Sequence, residues 1–215
     1  MSAAGSHGPS PDPATILKGE LVLASASAAR RRLLEAAGVR VRVAPVRVDE
    51  AALRRRLWDK GVDGAEAAVE LAEAKARAAA QRPERRWILA ADQILEHRGQ
   101  WLGKPDDLGA VRAQLQRLRG DVHRLHTAAV LWHGDVPRWR HVETALLQMR
   151  CFSDRFLESY LRACGEQVRG AVGGYHIEGL GVHLFERVEG CLFAVQGLPL
   201  LPALEALRRF GILAA

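Results

Sequence analysis

Asp92 has the setting that chemistry needs. It follows the apolar run Trp87-Ile88-Leu89-Ala90-Ala91, which reads as a central strand. Ligands of α/β sheets bind beyond the carboxyl ends of their strands. A carboxylate there can hold a metal or take a proton from water. The alternative is a turn residue that opens a hairpin. Further on, Gly103-Lys104-Pro105 sets a lysine on a stiff, exposed turn, within reach of a phosphate. Many such turns carry no function.

Three upstream segments offer matching chemistry. Ser25-Ala26-Ser27-Ala28-Ala29-Arg30-Arg31-Arg32 comes directly after the short apolar run Leu21-Val22-Leu23-Ala24. A strand-to-helix turn leaves backbone N–H groups unpaired, and the helix dipole there favours anions. Two hydroxyls and several guanidinium groups in the first turn make a phosphate cradle, or else a capped helix with a solvated basic face. Neither a G-x-x-x-x-G-K-S/T nor a G-x-G-x-x-G pattern is present. Asp49-Glu50 can bind a hard cation through oxygen, or simply start a helix from an acidic loop. Lys75 shares a helical face with Ala68, Leu71, Ala72 and Ala79. A lysine on an inner face needs an anionic partner, although alanines all round this helix leave its buried side open.

Downstream, Gly173-Gly174-Tyr175-His176-Ile177-Glu178-Gly179-Leu180-Gly181 carries four glycines that let backbone approach a flat ligand. Tyr175 can stack on a base and Glu178 can accept hydrogen bonds from a base edge. The alternative is a flexible loop with a half-buried tyrosine. His176 reads as an ordinary loop histidine.

The elements that position these residues alternate in type. Leu21–Ala24 predicts a strand. Ser27 to Ala37 predicts a helix with Leu33, Leu34 and Ala37 inward, ended by Gly38. Val41 and Val43 suggest a second strand. Glu66 to Gln81 is strongly helical, and Pro83 closes it. Residues 94–96 and 100–102 flank His97-Arg98-Gly99, a hairpin turn. Asp107 to Leu118 reads as a helix with Val111, Leu115 and Leu118 in register. Two strands near 124–132 and 138–149 follow, then a helix from Ser153 to Cys164 with Ser153 as cap. A strand near 182–188 and a helix near 200–210 end the chain. This order implies an α/β fold with a mixed sheet, whose late strand pair adds an antiparallel part or second lobe.

With 215 residues, 48% of them hydrophobic, the chain suits one large domain or two small lobes about a cleft. Residues 1–18, rich in Ser, Pro, Gly and Ala, read as a disordered tail, and 19–215 as one domain. No stretch approaches the ~18 apolar residues of a membrane span, and the N-terminus lacks a secretory apolar region. Three cysteines without C-x-x-C spacing argue against a disulfide framework and a zinc site, and fit a reducing cytoplasm. The net charge of +6 favours a polyanionic partner. Its even spread argues against a nucleic-acid arm.

Taken in order, these segments resemble the Maf family over roughly residues 21–212. The family's S-x-S-P-R-R turn stands here as Ser25-Ala26-Ser27-Ala28-Ala29-Arg30. Its acidic pair is matched by Asp49-Glu50, and its L-A-x-x-K-A helix by Leu71-Ala72-Glu73-Ala74-Lys75-Ala76. Ala91-Asp92-Gln93, Gly103-Lys104-Pro105, Leu118-Arg119-Gly120-Asp121-Val122-His123 and Gly197-Leu198-Pro199 continue the series.

The resemblance implies a mixed, twisted β-sheet flanked by helices, with two lobes around a central cleft. It implies hydrolysis of a nucleoside triphosphate between the α- and β-phosphates, with a divalent metal cation, Mg2+ or Mn2+. Asp92 would be the proton acceptor, Glu50 and Asp92 would lie near the metal, and Arg30, Lys75 and Lys104 on the phosphates. Ser25, Ser27 and Tyr175 would contact substrate, while Ala29, Gln93 and Glu178 occupy specificity positions. Pyrimidine-preferring members carry Arg, Thr and Gln at those three positions; members acting on 7-methyl-GTP lack the arginine and carry Gln and Glu. This chain follows the second pattern at Gln93 and Glu178. Ala28 and Ala29 depart from the usual proline and first arginine. A carboxylate such as Glu178 suits guanine, whose Watson–Crick edge offers adjacent N–H donors, whereas a carboxamide can serve mixed donor and acceptor edges. The expected partner is the nucleoside triphosphate, with no nucleic acid or membrane and with a homodimer left open. The rival reading is a non-catalytic, nucleotide-binding regulator of cell division. What separates the two is whether Asp92, Lys75 and Lys104 converge on one cleft.

Overall fold

A computed structural model describes residues 20–81 and 86–214. The expected tail and the helix-closing Pro83 lie outside them. The strands are β1 (Leu21–Leu23), β2 (Val41–Val43), β3 (Trp87–His97), β4 (Gln100–Leu102), β5 (Val122–His133), β6 (Val136–Met149) and β7 (Phe185–Glu189). The α-helices are α1 (Ala28–Ala36), α2 (Glu50–Asp59), α3 (Gly64–Ala80), α4 (Leu108–Leu118), α5 (Asp154–Cys164), α6 (Leu192–Val195) and α7 (Leu200–Arg209).

One mixed sheet runs in the order β2-β1-β3-β5-β6-β7, with β4 joined to β3. β1 pairs in parallel with both β2 and β3. Its three residues are all buried, as expected of a parallel strand covered on both faces. β3, β5, β6 and β7 pair antiparallel, through long ladders that carry the sheet away from its parallel half.

Three apolar clusters build the core. One face of the parallel half carries α2 and α3, with Leu71, Ala72 and Ala76 packed against Val22, Ile88 and Ala90. The other face joins Leu34 of α1 and Leu207 of α7 to Leu21, Leu23 and Leu89. The third cluster gathers Val111, Leu115 and Leu157 from α4 and α5 around Leu125, Leu147 and Tyr175 on the antiparallel half. Helix α3 lies close to the sheet because its inward side chains at 67, 68, 72, 76 and 79 are all alanine. Among the described residues, no helix is long and apolar enough to cross a membrane.

Three elements depart from expectation. β3 does not stop at Asp92 but runs on to His97, so hydrogen bonding to β5 continues through that residue. Residues 180–184 form a 3-10 turn rather than the start of a strand, and β7 begins at Phe185. The short helix α6 is absent from the sequence reading.

Candidate active site

Asp92 is functional-looking because of an edge, not a strand end. β1 pairs with β3 only as far as Leu23 opposite Leu89. β4 joins that side of β3 only from Leu95 onward. The stretch between them has no strand on that side. Alternation along the strand sends Asp92 toward the α3 face, with Ile88, Ala90 and Ile94 of that cluster. Gln93 points to the opposite face. Both nevertheless border one cleft of about 760 Å³, so the cleft crosses the sheet at this open edge.

Lys75 of α3 meets Asp92 here. Its Nζ is 2.6 Å from Asp92 Oδ2 and 2.9 Å from Glu50 Oε1. The lysine and the aspartate are almost wholly buried, whereas Glu50 is half exposed. Asp92 Oδ1 accepts the backbone N–H of Gln93 at 2.7 Å, which fixes the carboxylate plane. Oδ2 is buried and faces Lys75 as an ion pair, off the line of a directed hydrogen bond. Glu50 is the first residue of α2, capped by Asp49 through Ala52 N–H at 2.9 Å. The acidic pair therefore starts a helix and also brings a carboxylate to the cleft. Lys104 lies on the rim, exposed and without a partner among the described residues.

The β1–α1 turn forms the next wall. Ser27 caps α1, its Oγ accepting Arg30 N–H, as the alternative reading expected. Ser25 Oγ accepts from Ser27 N and from Arg30 Nη1. Arg30 differs from expectation. It is buried, and it donates to Gly197 O at 2.7 Å, Ala91 O at 2.8 Å and Ser25 Oγ at 3.1 Å. Ala91 is on the open edge of β3, so the guanidinium supplies the donor that a neighbouring strand would give. Burial lowers the Arg30 pKa, and the charges of Asp92 and Glu50 oppose that. Gly197 has φ +106°, which strains any other residue, and a Cβ there would lie in contact with Arg30 at 3.4 Å from Nε.

The glycine-rich segment also serves packing. A Cβ on Gly173 would meet Tyr175 and Leu95, one on Gly174 Val111, and one on Gly181 the His176 backbone. Of the four glycines, Gly179 is the one that borders the cleft. Tyr175 is 5% exposed. Its ring packs edge-on to Phe185, and its hydroxyl is 2.7 Å from His123 Nε2. A base cannot stack on a ring buried so completely; Tyr175 contributes an edge to the cleft floor. Burial pushes the Tyr175 pKa up and that of His123 down to about 3. His123 is therefore neutral at physiological pH.

Glu178, exposed at the mouth, pairs with Arg32 at 3.4 Å. Ala29 borders the cleft beside it. Gln93 is held tightly: its Nε2 lies 2.8 Å from Thr127 Oγ1, 3.1 Å from Ala194 O and 3.2 Å from Val195 O. Its side-chain N–H groups are thus taken by the protein.

All eleven residues singled out thus border one cleft, Asp92, Lys75 and Lys104 included. Four others were missed. Arg32 was read only as part of a basic run. Arg54 is one helical turn beyond Glu50 on α2, in the field of Asp92 and Glu50, and donates to Leu102 O at 3.0 Å. Following the helix that Asp49-Glu50 can start by one turn would have found it. His176, read as an ordinary loop residue, borders the cleft with its Nδ1 3.9 Å from Glu178. Thr127 is directly opposite Gln93 in the β3–β5 ladder, and no sequence signal gives that register.

A hard cation would find oxygen ligands here: two carboxylates, one of them with a buried oxygen lacking a directed hydrogen bond. Among the described residues no three His, Cys, Asp or Glu side chains converge, so water and phosphate oxygens would complete the shell. Fold and cleft together define an α/β protein in which two carboxylates and two lysines border one cleft. The chain belongs to the Maf-like protein family, whose family profile matches residues 20–210. It is 46% identical over 194 residues to nucleoside triphosphate pyrophosphatase 1 of Jannaschia sp. (strain CCS1), covering 90% of this chain and 98% of that one. Nucleoside triphosphate pyrophosphatase of Gluconobacter oxydans (strain 621H) is 46% identical over 91% of this chain and 97% of its own. The 7-methyl-GTP pyrophosphatase of Rhizobium meliloti (strain 1021) is 39% identical over 93% of this chain and 100% of its own.

Proposed function

We propose that this protein is a nucleoside triphosphate pyrophosphatase, which converts a guanine-type or N-methylated purine triphosphate to its monophosphate and pyrophosphate. The observation that carries this reading is the convergence of Asp92, Glu50, Lys75 and Lys104 on one cleft. The names of the relatives support the reaction.

Water attacks the α-phosphorus. Its oxygen bonds to that atom, the α–β bridging bond breaks, and the bridging oxygen leaves with pyrophosphate. Asp92 accepts the proton that the water loses. Its Oδ1 is fixed by the Gln93 N–H, and its Oδ2 is held against Lys75, so the carboxylate is oriented at both oxygens. Lys75 and Lys104 neutralise phosphate oxygens, as preorganised positive charge does in phosphoryl transfer. Ser25, Ser27 and the first turn of α1 face the polyphosphate, with Arg30 holding that turn against β3. A divalent cation, Mg2+ or Mn2+, bound by Glu50 and Asp92 would supply further charge neutralisation. The free thiols of Cys151, Cys164 and Cys191 suit a reducing cytoplasm.

Glu178 and Gln93 face the base. A carboxylate opposite guanine accepts from two adjacent donors; opposite uracil or thymine it meets carbonyl oxygens beside a single N–H. Because Glu178 is exposed at the mouth, the mismatch is expected at the low end of the cost of an unpaired group, about 1 kcal/mol or up to roughly tenfold in selectivity. The test is pyrophosphate release across canonical and methylated nucleotides, for wild type and Glu178→Gln. Guanine-type substrates should lead dTTP and UTP, and Glu178→Gln should narrow the gap. A wild-type preference for dTTP or UTP, or a ratio unmoved by Glu178→Gln, overturns the base assignment. Nucleotide binding without any turnover would favour the regulator reading instead.

A further inference from the structure

Thr127 is completely buried and sits opposite Gln93 on the neighbouring strand. Its hydroxyl donates to Ala194 O at 2.9 Å. A hydroxyl has a single hydrogen, so toward Gln93 this oxygen can only accept. The Gln93 Nε2 thus faces three acceptors, Thr127 Oγ1 and the carbonyls of Ala194 and Val195. Turning the amide over would bring Oε1 against two carbonyl oxygens with no hydrogen to offer, and would make the Thr127 hydroxyl give up Ala194 O to donate to it. The amide orientation is therefore dictated by the network, and no group of the described residues donates to Oε1.

We propose that Thr127 is a positioning residue for base selection: it locks the Gln93 carboxamide with its oxygen as the one polar atom left for substrate. Gln93 then acts as a fixed acceptor. Together with the Glu178 carboxylate it gives the base pocket two acceptors, which selects a base edge rich in N–H donors. This rests on the reading that Gln93 and Glu178 face the base.

Thr127→Val removes the hydroxyl at nearly constant volume. It takes away the nearest acceptor and frees the Ala194 carbonyl, so the amide is drawn toward residues 194 and 195 and its oxygen moves off the base. Thr127→Ser keeps the hydroxyl. The experiment measures kcat/KM for GTP and dTTP in wild type, Thr127→Val, Thr127→Ser and Gln93→Leu. Expected is an about tenfold fall in the GTP-to-dTTP ratio for Thr127→Val, the scale of one lost buried hydrogen bond. Thr127→Ser should stay within about twofold of wild type, and Gln93→Leu should fall at least as far as Thr127→Val. Equal losses on both substrates in Thr127→Val would make Thr127 structural only and overturn the proposal. A ratio changed by Gln93→Leu but not by Thr127→Val overturns it while leaving the base reading intact. If neither variant moves the ratio, the base reading itself falls and takes the proposal with it. A measurement on the unmutated protein keeps the question open to refutation should Thr127→Val not fold. The side-chain NH2 of Gln93, followed by NMR without nucleotide, should exchange slowly with solvent. Exchange as fast as in a surface glutamine would overturn the lock.

Discussion

Lys75 Nζ stands 2.6 Å from Asp92 Oδ2, and this contact ties the middle of α3 to the open edge of the central strand. The same ammonium reaches Glu50 on α2 at 2.9 Å. One lysine thus keeps two carboxylates together that would otherwise repel each other at the heart of the cleft.

Asp92→Asn should abolish turnover and preserve nucleotide binding, since an amide cannot take the proton from water. Loss of a positioned general base costs about 10²–10⁴-fold in kcat. Single-turnover kinetics beside a binding isotherm check this. Near wild-type kcat would remove Asp92 from the role of base.

Lys75→Ala and Lys104→Ala should part company in stability while both lose activity. Removing Lys75 leaves a buried carboxylate uncompensated, at about 3 kcal/mol. Lys104 is exposed and unpaired among the described residues, so its loss should leave the urea midpoint unchanged. Both variants should lower kcat/KM by about 10²-fold, because each removes a charge from the polyphosphate. Urea titrations run beside the assays separate the two effects.

Arg30→Met should destabilise the protein even without nucleotide. It strips donors from Ala91 O, Gly197 O and Ser25 Oγ. Buried acceptors left unpaired cost about 1–3 kcal/mol each, so a loss of roughly 3 kcal/mol and a fall of about 10 °C in Tm are expected. An unchanged Tm, with only nucleotide affinity reduced, would return Arg30 to a phosphate-binding role.

His123 should make stability fall in mild acid. Its pKa drops from the ordinary 6.5 to about 3 in the folded state, chiefly through burial. Between those values the unfolded chain binds the proton and the folded one does not, so stability rises with pH across that window. At pH 5 the penalty is about 2 kcal/mol relative to pH 7.5. His123→Gln should shrink the difference in unfolding free energy between the two pH values by about that amount. An NMR titration of the wild-type ring gives the same answer directly: the imidazole should stay neutral down to pH 4.

Much of this site was legible in the sequence because it rests on local signals. Ser27, Asp107 and Ser153 cap the helices they announced. The apolar run before Asp92 marks the central strand, and the 3.6-residue period finds Val111, Leu115 and Leu118. Contacts between distant segments were not legible. Arg30 reads as a free guanidinium until Gly197, 167 residues away, is seen to accept from it. Tyr175 reads as a loop aromatic until His123 and Phe185 close round it. Asp92 was singled out for the wrong geometric reason: the strand continues and its neighbour ends. Strand register, which brings Thr127 to Gln93, leaves no trace in composition or period.

The most direct test counts products. Wild-type protein with Mg2+ and GTP, quenched during steady turnover, should yield guanosine monophosphate and pyrophosphate in equal amounts. EDTA should stop both, and Asp92→Asn should make neither. Release of guanosine diphosphate with inorganic phosphate, or equal turnover by wild type and Asp92→Asn, would contradict the account.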